Sequence, residues 1–508
     1  MAYKKGRYIM PFFKENKDNL ELEFERPNVN FLVDESSDAV KLYKLIKRLD
    51  FSEFYKRYSE KGAVAYRPEV LFGILMLSVL DGVLSSRSIE KKCGRDIYYI
   101  FFTEYRKPDH STIARFLKKF RKEINGLLSQ LVKLAKENNL SSFRTIAIDG
   151  SKFQSSSSKR HSMRMESLKQ EEKRILRKME KMLNLLQEND KKDNRDEKAM
   201  EKLQAEQRRL SERREKVEES KKELVNRQKE IKDKTKRRNH QINIKEPEAR
   251  MMKEINSNGY NVQLTVDTET EIIINATVES DRSDNHQFSK RHEDSEMILG
   301  EDKEREYLAD GGYMSSETMD YIEDKKVNAY INDAREKERI PEPEELLKRG
   351  KEIISEFFIY SQENNEYTCP NHRQLREIKP GVYESEDCNN CIIKQICSKK
   401  NPLRKITRSE FTERKEMMRE KVKLNPEKMN KRKAVERVFG NIKWNLGFRR
   451  FRRKDFQGAS VEIIMIVLAL NMKKIMQIVF LLPIKQLALV ILKYVLYKED
   501  KIYLQTAI

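Results

Sequence analysis

Apolar and polar positions change period several times along the chain, and the changes divide it into segments. Over 35–140 the pattern predicts helices joined by short breaks. Pro68 suits a first helical turn, Leu71 to Leu80 is apolar, Asp81-Gly82 closes the run, and Ser85 or Ser86 starts the next helix. Beyond Pro108, Asp109 or Ser111 is placed to cap a helix. Its Ile113, Phe116, Leu117 and Phe120 fall on one face, while Arg115, Lys118, Lys119 and Arg121 point outward. This is the layout of a helix-turn-helix docking surface, or of a small helical bundle with a solvated basic face.

Thr145-Ile146-Ala147-Ile148 is then a short β-compatible run that stops at Asp149-Gly150, which puts a carboxylate at a strand end. From about Met165 to Lys236 the chain is almost wholly charged and helix-favouring. Ile175, Met179, Met182 and Leu186 form an apolar stripe, Glu188 to Asn194 interrupts it, and Leu203, Leu210, Val217, Leu224 and Ile231 recur every seven residues. The pattern predicts an antiparallel helical hairpin. Only one heptad position is regularly apolar in its second helix, so it reads as a dimerisation or DNA-clamping arm or as a solvated spacer. Tyr260 to Val266 and Ile272 to Ile274, across the polar turn Asp267 to Glu271, predict a β-hairpin. Glu306 to Ala309 is a strand ending at Asp310-Gly311-Gly312, a helix begins near Ser315 or Ser316, and Val327 to Ile331 supplies a further strand. Val461 to Leu470 and Ile475 to Leu496 are apolar, but Asn471, Lys473, Lys474, Pro483 and Lys485 interrupt them, so a buried helix is expected rather than a membrane span. Phe480, Leu481, Leu482 and Leu487 to Leu492 suit burial against the core or a partner subunit.

Composition adds a partner. Lys plus Arg total 104 against 83 Asp plus Glu, a formal +21 on 508 residues, and that excess calls for a polyanion, with nucleic acid the default. The length exceeds one ordinary core, so two or three packed units are expected. Five cysteines are too few for a disulfide scaffold and suit a reducing cytoplasm. The basic start (Met1, Lys4, Lys5, Arg7) runs into charged sequence from Lys14 to Glu25 without an apolar export core. Cys369, Cys388, Cys391 and Cys397 offer a structural zinc site with His372 able to replace a thiol, or a reduced cluster without metal; Cys93 is expected in the core. From Trp444 to Lys454 aromatics interleave with Arg449, Arg450, Arg452 and Arg453. That composition suits phosphate contact and base stacking, or else marks a helix end with core aromatics and solvated arginines.

Phosphodiester chemistry needs hard cations that activate the attacking oxygen and stabilise the leaving one, and carboxylates are their natural ligands. Crowded acids without metal would repel by roughly 4 kcal/mol per pair at about 4 Å. A third acid is best sought in a helix after the last strand, and Asn430 to Phe439 carries Glu436 among basic neighbours. Three segments stand in a telling order: Ala147-Ile148-Asp149-Gly150-Ser151-Lys152, Leu308-Ala309-Asp310-Gly311-Gly312-Tyr313 and Val435-Glu436-Arg437-Val438-Phe439-Gly440. With Tyr66 to Phe120, including Pro108-Asp109-His110-Ser111-Thr112, and Pro247-Glu248-Ala249-Arg250, they resemble bacterial insertion-sequence transposases of the DDE class, over most of the chain.

The resemblance implies an α/β fold: a ribonuclease-H-like mixed-sheet core with an all-helical N-terminal domain, an inserted helical hairpin and a C-terminal helical tail. The expected divisions are 1–140 for the DNA-binding domain, 141–163 and 241–335 for the core, and 164–240 for the hairpin. They continue with 336–425 for the cysteine-bearing insertion, 426–475 for the catalytic helix and basic segment, and 476–508 for the tail. It further implies that Asp149, Asp310 and Glu436 are catalytic and hold Mg²⁺ or Mn²⁺, and that Arg432 and Lys443 contact DNA phosphates, beside Arg115 and Lys118 from the basic helix. The related pattern Tyr-x2-Arg-x3-Glu-x6-Lys is met at Arg432, Glu436 and Lys443, but Met429 stands in place of tyrosine. Asp284, in Ser283-Asp284-Asn285-His286, is read as a turn-capping residue and kept off the catalytic set. The implied activity is metal-dependent cleavage of double-stranded DNA at transposon ends and strand transfer into target DNA. It would be carried out by a homo-oligomer on DNA in the bacterial cytoplasm, nucleoid-associated when bound and without a membrane. The alternatives are a metal-dependent nuclease that cuts without joining and an inactive transposase-derived DNA-binding protein.

Overall fold

The computed structural model describes residues 33–59, 65–190, 197–229, 231, 233–333, 342–350, 352–399 and 401–479. The basic start and the apolar stretch beyond residue 479, with Phe480, Leu481, Leu482 and Leu487 to Leu492, lie outside them. Packing divides the chain into two units. One runs to Asp284 and takes in 290–305 and the chain from 432; the other holds 285–289 and 306–431.

The first unit opens with helices α1 (Asp38–Ile46), α2 (Ser52–Tyr55), α3 (Pro68–Leu80), α4 (Ser86–Lys92), α5 (Ile97–Thr103), α6 (His110–Lys119) and α7 (Arg121–Glu137). Pro68 begins α3 at the position where a missing N–H costs nothing, and Gly82, at φ +70°, lets the chain reverse after Asp81. Because α3 is apolar all round, it is buried on nearly every side, with Phe72, Ile74 and Met76 fully enclosed. Asp109 caps α6, accepting from the Thr112 backbone N–H at 2.5 Å. Those backbone N–H and Ser111 hydroxyl donors hold its carboxyl down at about 2. Ile113, Phe116, Leu117 and Phe120 are buried and Arg115, Lys118 and Lys119 exposed, as their spacing predicts. Cys93 is buried in the same core.

The strands of this unit are β1 (Thr145–Gln154), β2 (Ser162–Met163), β3 (Ile242–Asn243), β4 (Arg250–Met252), β5 (Ser257–Asp267) and β6 (Ile273–Glu279). β5 pairs antiparallel with β1 along one edge and with β4 and β6 along the other. One expectation is corrected here: β1 does not stop at Asp149. It continues to Gln154 because β5 extends opposite it, with Asp149 facing Leu264, Gly150 facing Gln263 and Gln154 facing Gly259. A long partner strand satisfies the backbone of Gly-Ser-Lys, residues whose own propensity for strands is weak.

Between β2 and β3 the chain leaves the core as α8 (Met165–Asp190) and α9 (Glu197–Lys229), with α10 (Lys234–Asn239) on the return. β2 and β3 pair antiparallel at the base of this arm. Its seam buries Leu168, Ile175, Leu210, Val217 and Leu224, with Met179 and Met182 packed alongside. Lys221, late in α9, reaches Glu172, early in α8, at 2.7 Å, which gives the antiparallel sense. The predicted hairpin is therefore present, although α8 runs past the expected break at Glu188. The apolar run after Val461 is a helix over 455–479 with Ile463 to Ala469 buried. Asn471 on it is buried, accepting from the Ile273 N–H at 2.8 Å and donating to its carbonyl at 2.7 Å. Among the described residues no helix is long and apolar enough to cross a membrane.

Helix α11 (Phe288–Leu299) precedes the second unit's strands β7 (Glu306–Asp310) and β8 (Asn328–Asn332), which pair in parallel with α12 (Ser316–Lys325) between them in sequence. Ser315 caps α12, accepting from the Thr318 N–H at 3.1 Å. After α13 (Pro343–Arg349) come strands β9 (Ile359–Ser361), β10 (Glu366–Thr368), β11 (Gln374–Lys379) and β12 (Val382–Ser385), helix α14 (Lys394–Cys397) and strand β13 (Lys405–Thr407). These form a five-stranded antiparallel sheet in the order β13-β12-β11-β10-β9. No strand is predicted there from sequence, because each is only three to six residues long. Tyr367, Leu375, Tyr383 and Ile406 supply its small core. Helix α15 (Glu410–Lys423) lies on β8, where the Met418 thioether accepts from the Ile331 N–H at 3.5 Å. Helix α16 (Pro426–Gly440) follows, ahead of the helix over 455–479.

Candidate active site

The site is built on β1 and α16. Asp149 is mid-strand, its side chain 17% exposed, and one of its carboxylate oxygens accepts from the Gly150 N–H at 2.8 Å. Glu436 stands on α16, 49% exposed, one turn after Arg432. The Arg432 guanidinium donates to Glu436 at 2.6 Å and lies 3.9 Å from Asp149, so a single cation bridges two acids far apart in sequence.

Gly150 has a specific reason to lack a side chain. A Cβ there would meet Gln263 Nε2 at 2.2 Å, Asp284 Oδ1 at 2.5 Å and Asn261 Oδ1 at 2.9 Å. Those three form a polar cluster against the strand: Asp284 Oδ1 accepts from Asn261 Nδ2 and Gln263 Nε2, both at 2.6 Å, and from Lys152 Nζ at 3.4 Å. Asn261 and Gln263 are fully buried. Asp284 is therefore more than a turn residue: it neutralises Lys152 and anchors the amides packed against Gly150. The available sequence signal was the pair Asn261 and Gln263, two amides at alternate positions between Tyr260, Val262 and Leu264.

After α16 a π-turn over Asn441–Asn445 carries Lys443 back onto β1. Its ammonium donates to Ser151 Oγ at 2.7 Å and the Lys152 carbonyl at 3.1 Å and sits 4.6 Å from the Phe153 ring centre. Burial pushes its pKa down, with Asp149 opposing that shift. Lys443 thus holds β1 through two of its N–H groups.

The basic aromatic segment divides in two. Phe448 and Phe451 are core residues, 5.9 and 6.0 Å from Phe153 between ring centres, so they are not free to stack on bases. Trp444 is 70% exposed, with the Arg449 guanidinium 3.7 Å from its ring centre. Arg450 donates to the carbonyls of Ser155 at 3.1 Å and Ser156 at 2.5 Å. Burial lowers the pKa of Arg453, while Arg452 is exposed. The backbone N–H groups of Arg452 and Arg453 donate to buried Glu462, at 2.9 and 3.2 Å. On α6, Arg115 folds back on Ser111 and Thr112. Lys118 lines a groove of roughly 640 Å³ with Arg57, Lys119, Arg121 and Lys122 on one side and Thr277 and Gln457 on the other.

Asp310 belongs to the second unit, at the carboxyl end of β7. Its side chain accepts from the Gly312 N–H at 2.9 Å and so caps the one-turn helix Gly311–Tyr313. Gly311 passes close to the end of β8: a Cβ there would meet Asp333 Cα at 2.9 Å. Asp333 itself is held by Lys415 at 2.8 Å and Arg419 at 2.6 Å.

The four clustered cysteines lie beside the five-stranded sheet, Cys369, Cys391 and Cys397 packing on its core and Cys388 buried. Burial raises the Cys369 and Cys397 thiols, the latter to about 11; Cys388 and Cys391 push the Cys369 thiol further up, and Cys369, Cys388 and Cys391 do the same to Cys397. His372 is turned outward, 3.9 Å from Glu342. Among the described residues no three His, Cys, Asp or Glu side chains converge as a ready-made metal cluster. The fit of a divalent ion therefore rests on donor chemistry. Asp149 and Glu436 are oxygen donors already gathered around positive charge.

An antiparallel trio with Asp149 on its first strand, a parallel pair ending in Asp310 and a following helix bearing Glu436 define an α/β protein of the ribonuclease-H-like class. Comparison with known families agrees. Residues 252–472 match the transposase DDE domain, a span that includes Asp310 and Glu436 but begins after Asp149, and residues 29–119 match a transposase domain of otherwise uncharacterised function, DUF772. No curated protein matches the chain. The chain belongs to the insertion-sequence transposases of the DDE class, a family whose general activity is cutting and transesterification of DNA with divalent metal.

Proposed function

We propose that this protein cuts double-stranded DNA at transposon ends and joins the freed 3′-hydroxyl to target DNA, with Asp149, Asp310 and Glu436 holding Mg²⁺ or Mn²⁺. The observation that carries the reading is the meeting of Asp149 and Glu436 across Arg432. Such ions would activate the attacking oxygen and stabilise the leaving one. The chain's own groups do the remainder. Arg432, relieved of neutralising the acids, offers a planar fork to a phosphate. Lys443 holds Ser151 and the Lys152 carbonyl, keeping β1 rigid beside Asp149. Lys118 in its groove, Arg115, and the exposed Arg449–Trp444 pair with Arg450, Arg452 and Arg453 bear on the flanking duplex. Two ends cut in concert call for more than one copy on the DNA, so we assign the active form to a homo-oligomer.

The test is strand transfer with pre-cleaved ends. Wild type should give joined product with Mg²⁺ and none with EDTA. Asp149→Asn, Asp310→Asn and Glu436→Gln should each lose on the order of a thousandfold in rate while still binding DNA. Cleavage without joining would identify a nuclease, and inactivity of the wild type an inert DNA-binding derivative. We also propose that Cys369, Cys388, Cys391 and Cys397 close on a structural zinc ion, since three of them pack on the core of the small sheet and the fourth is buried. Elemental analysis should find about one zinc per chain, lost in Cys391→Ser.

A further inference from the structure

Helix α8 sorts its charges in a way that a solvated spacer would not. Gln170, Lys173, Arg174, Arg177, Lys178 and Lys181 line one continuous stripe, following helical spacing, and all six are exposed. No acid interrupts it. The acids at Glu171 and Glu172 turn instead toward α9, where they meet Arg213 at 2.6 Å and Lys221 at 2.7 Å. Of the stripe's cations only Arg174 has an ion pair among the described residues, a long one of 3.8 Å to Glu171.

The partner helix shows the contrast. On α9 cations are neutralised along the helix by Glu206–Arg209 at 3.7 Å, Arg214–Glu218 at 3.3 Å and Glu223–Arg227 at 2.8 Å. Lys173 with Arg177, Arg177 with Lys181, and Arg174 with Lys178 are instead like charges one turn apart, an arrangement that weakens a helix in water. The seam residues Leu168, Ile175, Met179 and Met182 lie on the other side of α8, so packing does not explain the stripe.

We infer that this face of the arm is a docking surface for the phosphate backbone of double-stranded DNA, a reading that rests on the DNA-transposing function proposed above. Charge complementarity commits the occupant. Lys173, Arg177 and Lys181 rise by about 12 Å along the helix, enough to follow roughly three phosphates of one strand. The arm leaves the core after β2, which follows β1, the strand of Asp149, and returns at β3, so the β2–β3 pair closes its base a few residues from the strand that carries the site. Recognition is of backbone charge and carries no sequence preference.

The test uses the full chain and an arbitrary duplex of about 40 base pairs, with binding measured between about 50 and about 200 mM KCl. Lys173→Gln/Arg177→Gln/Lys181→Gln should lower the slope of log K against log salt by about 2 to 3. Over that range wild-type affinity should then fall roughly 15- to 60-fold more than the variant's. A control with the same charge change on α9, Lys202→Gln/Lys216→Gln/Lys222→Gln, should keep the wild-type slope. Equal slopes for wild type and stripe variant overturn the inference, as does an equal drop in the control. So does a stripe variant whose only change is in self-association by sedimentation, which would assign the face to a second copy. If wild type binds no DNA, the transposase reading falls first and the arm's role with it; if wild type binds but the stripe variant is unchanged, only the arm's role falls. Helical circular dichroism of the stripe variant should be undiminished, because removing like charges relieves the helix.

Discussion

Arg432 shows how one side chain sets the state of the site. With Asp149 and Glu436 both within its reach, replacing it by Gln removes the one guanidinium that meets both acids. Arg432→Gln should lower metal-free stability by about 1 kcal/mol, the scale of a partly exposed ion pair. Thermal melts with and without Mg²⁺ read this out: the gap from wild type should narrow when the ion is present. Glycine substitutions should have opposite signs at two positions. Gly150→Ala drives a methyl into Gln263, Asp284 and Asn261 and should cost about 1–3 kcal/mol, whereas Gly126 in α7 has nothing within 4 Å and Gly126→Ala should add about 0.5–1 kcal/mol. Urea unfolding of the two variants measures both. The motif Asp149-Gly150 was legible as a chemical unit, but the glycine's cause was not, since the atoms that exclude a Cβ come from β5 and from Asp284.

Caps and edges decide how whole elements hold. Asp109 fastens α6 through a carboxylate whose pKa is held at about 2, below its unfolded value, so its contribution is present above about pH 4 and lost as pH falls toward 2. Asp109→Asn should keep the cap and lose that pH dependence, while Asp109→Ala should cost about 0.5–2 kcal/mol at neutral pH. Unfolding at pH 3 and pH 6 separates the two. Asn471 ties the start of β6 to the last described helix through both backbone groups of Ile273. Asn471→Leu would leave two buried backbone groups unsatisfied and should lower stability by about 2–5 kcal/mol, detected as a drop in Tm. At this scale the helices were the readable part, because a cap, a proline at the first turn and a 3.6-residue stripe all act within a few positions. The sheet of β9 to β13 was unreadable for the opposite reason: strands of three to six residues are too short to show a period.

Over the whole molecule, positive charge is distributed by function as well as in amount. The formal +21 resolves into separate features: the groove containing Lys118, the exposed Arg449–Trp444 pair and the stripe on α8. Other cations hold the protein together, Lys443 on β1 and Arg437 with Lys474 on Glu271. Burial alone would raise the Glu271 carboxyl, but those two cations outweigh it and leave its pKa lowered. A basic composition predicts the partner; it does not tell which cations meet it.

The N-terminal helices, the segments that carry the three motif acids, the arm's apolar seam and the basic face of α6 were legible in the sequence alone, because each is written in residues that interact with near neighbours. Tertiary structure alone decided that β1 runs past Asp149, that Arg432 joins two distant acids, that Asp284 supports Gly150 from across the strand, and that Lys443, Phe448 and Phe451 face inward. Those outcomes depend on which long strand or helix arrives opposite a residue. Neither period nor composition holds that information, since the partner is supplied by a part of the chain far away.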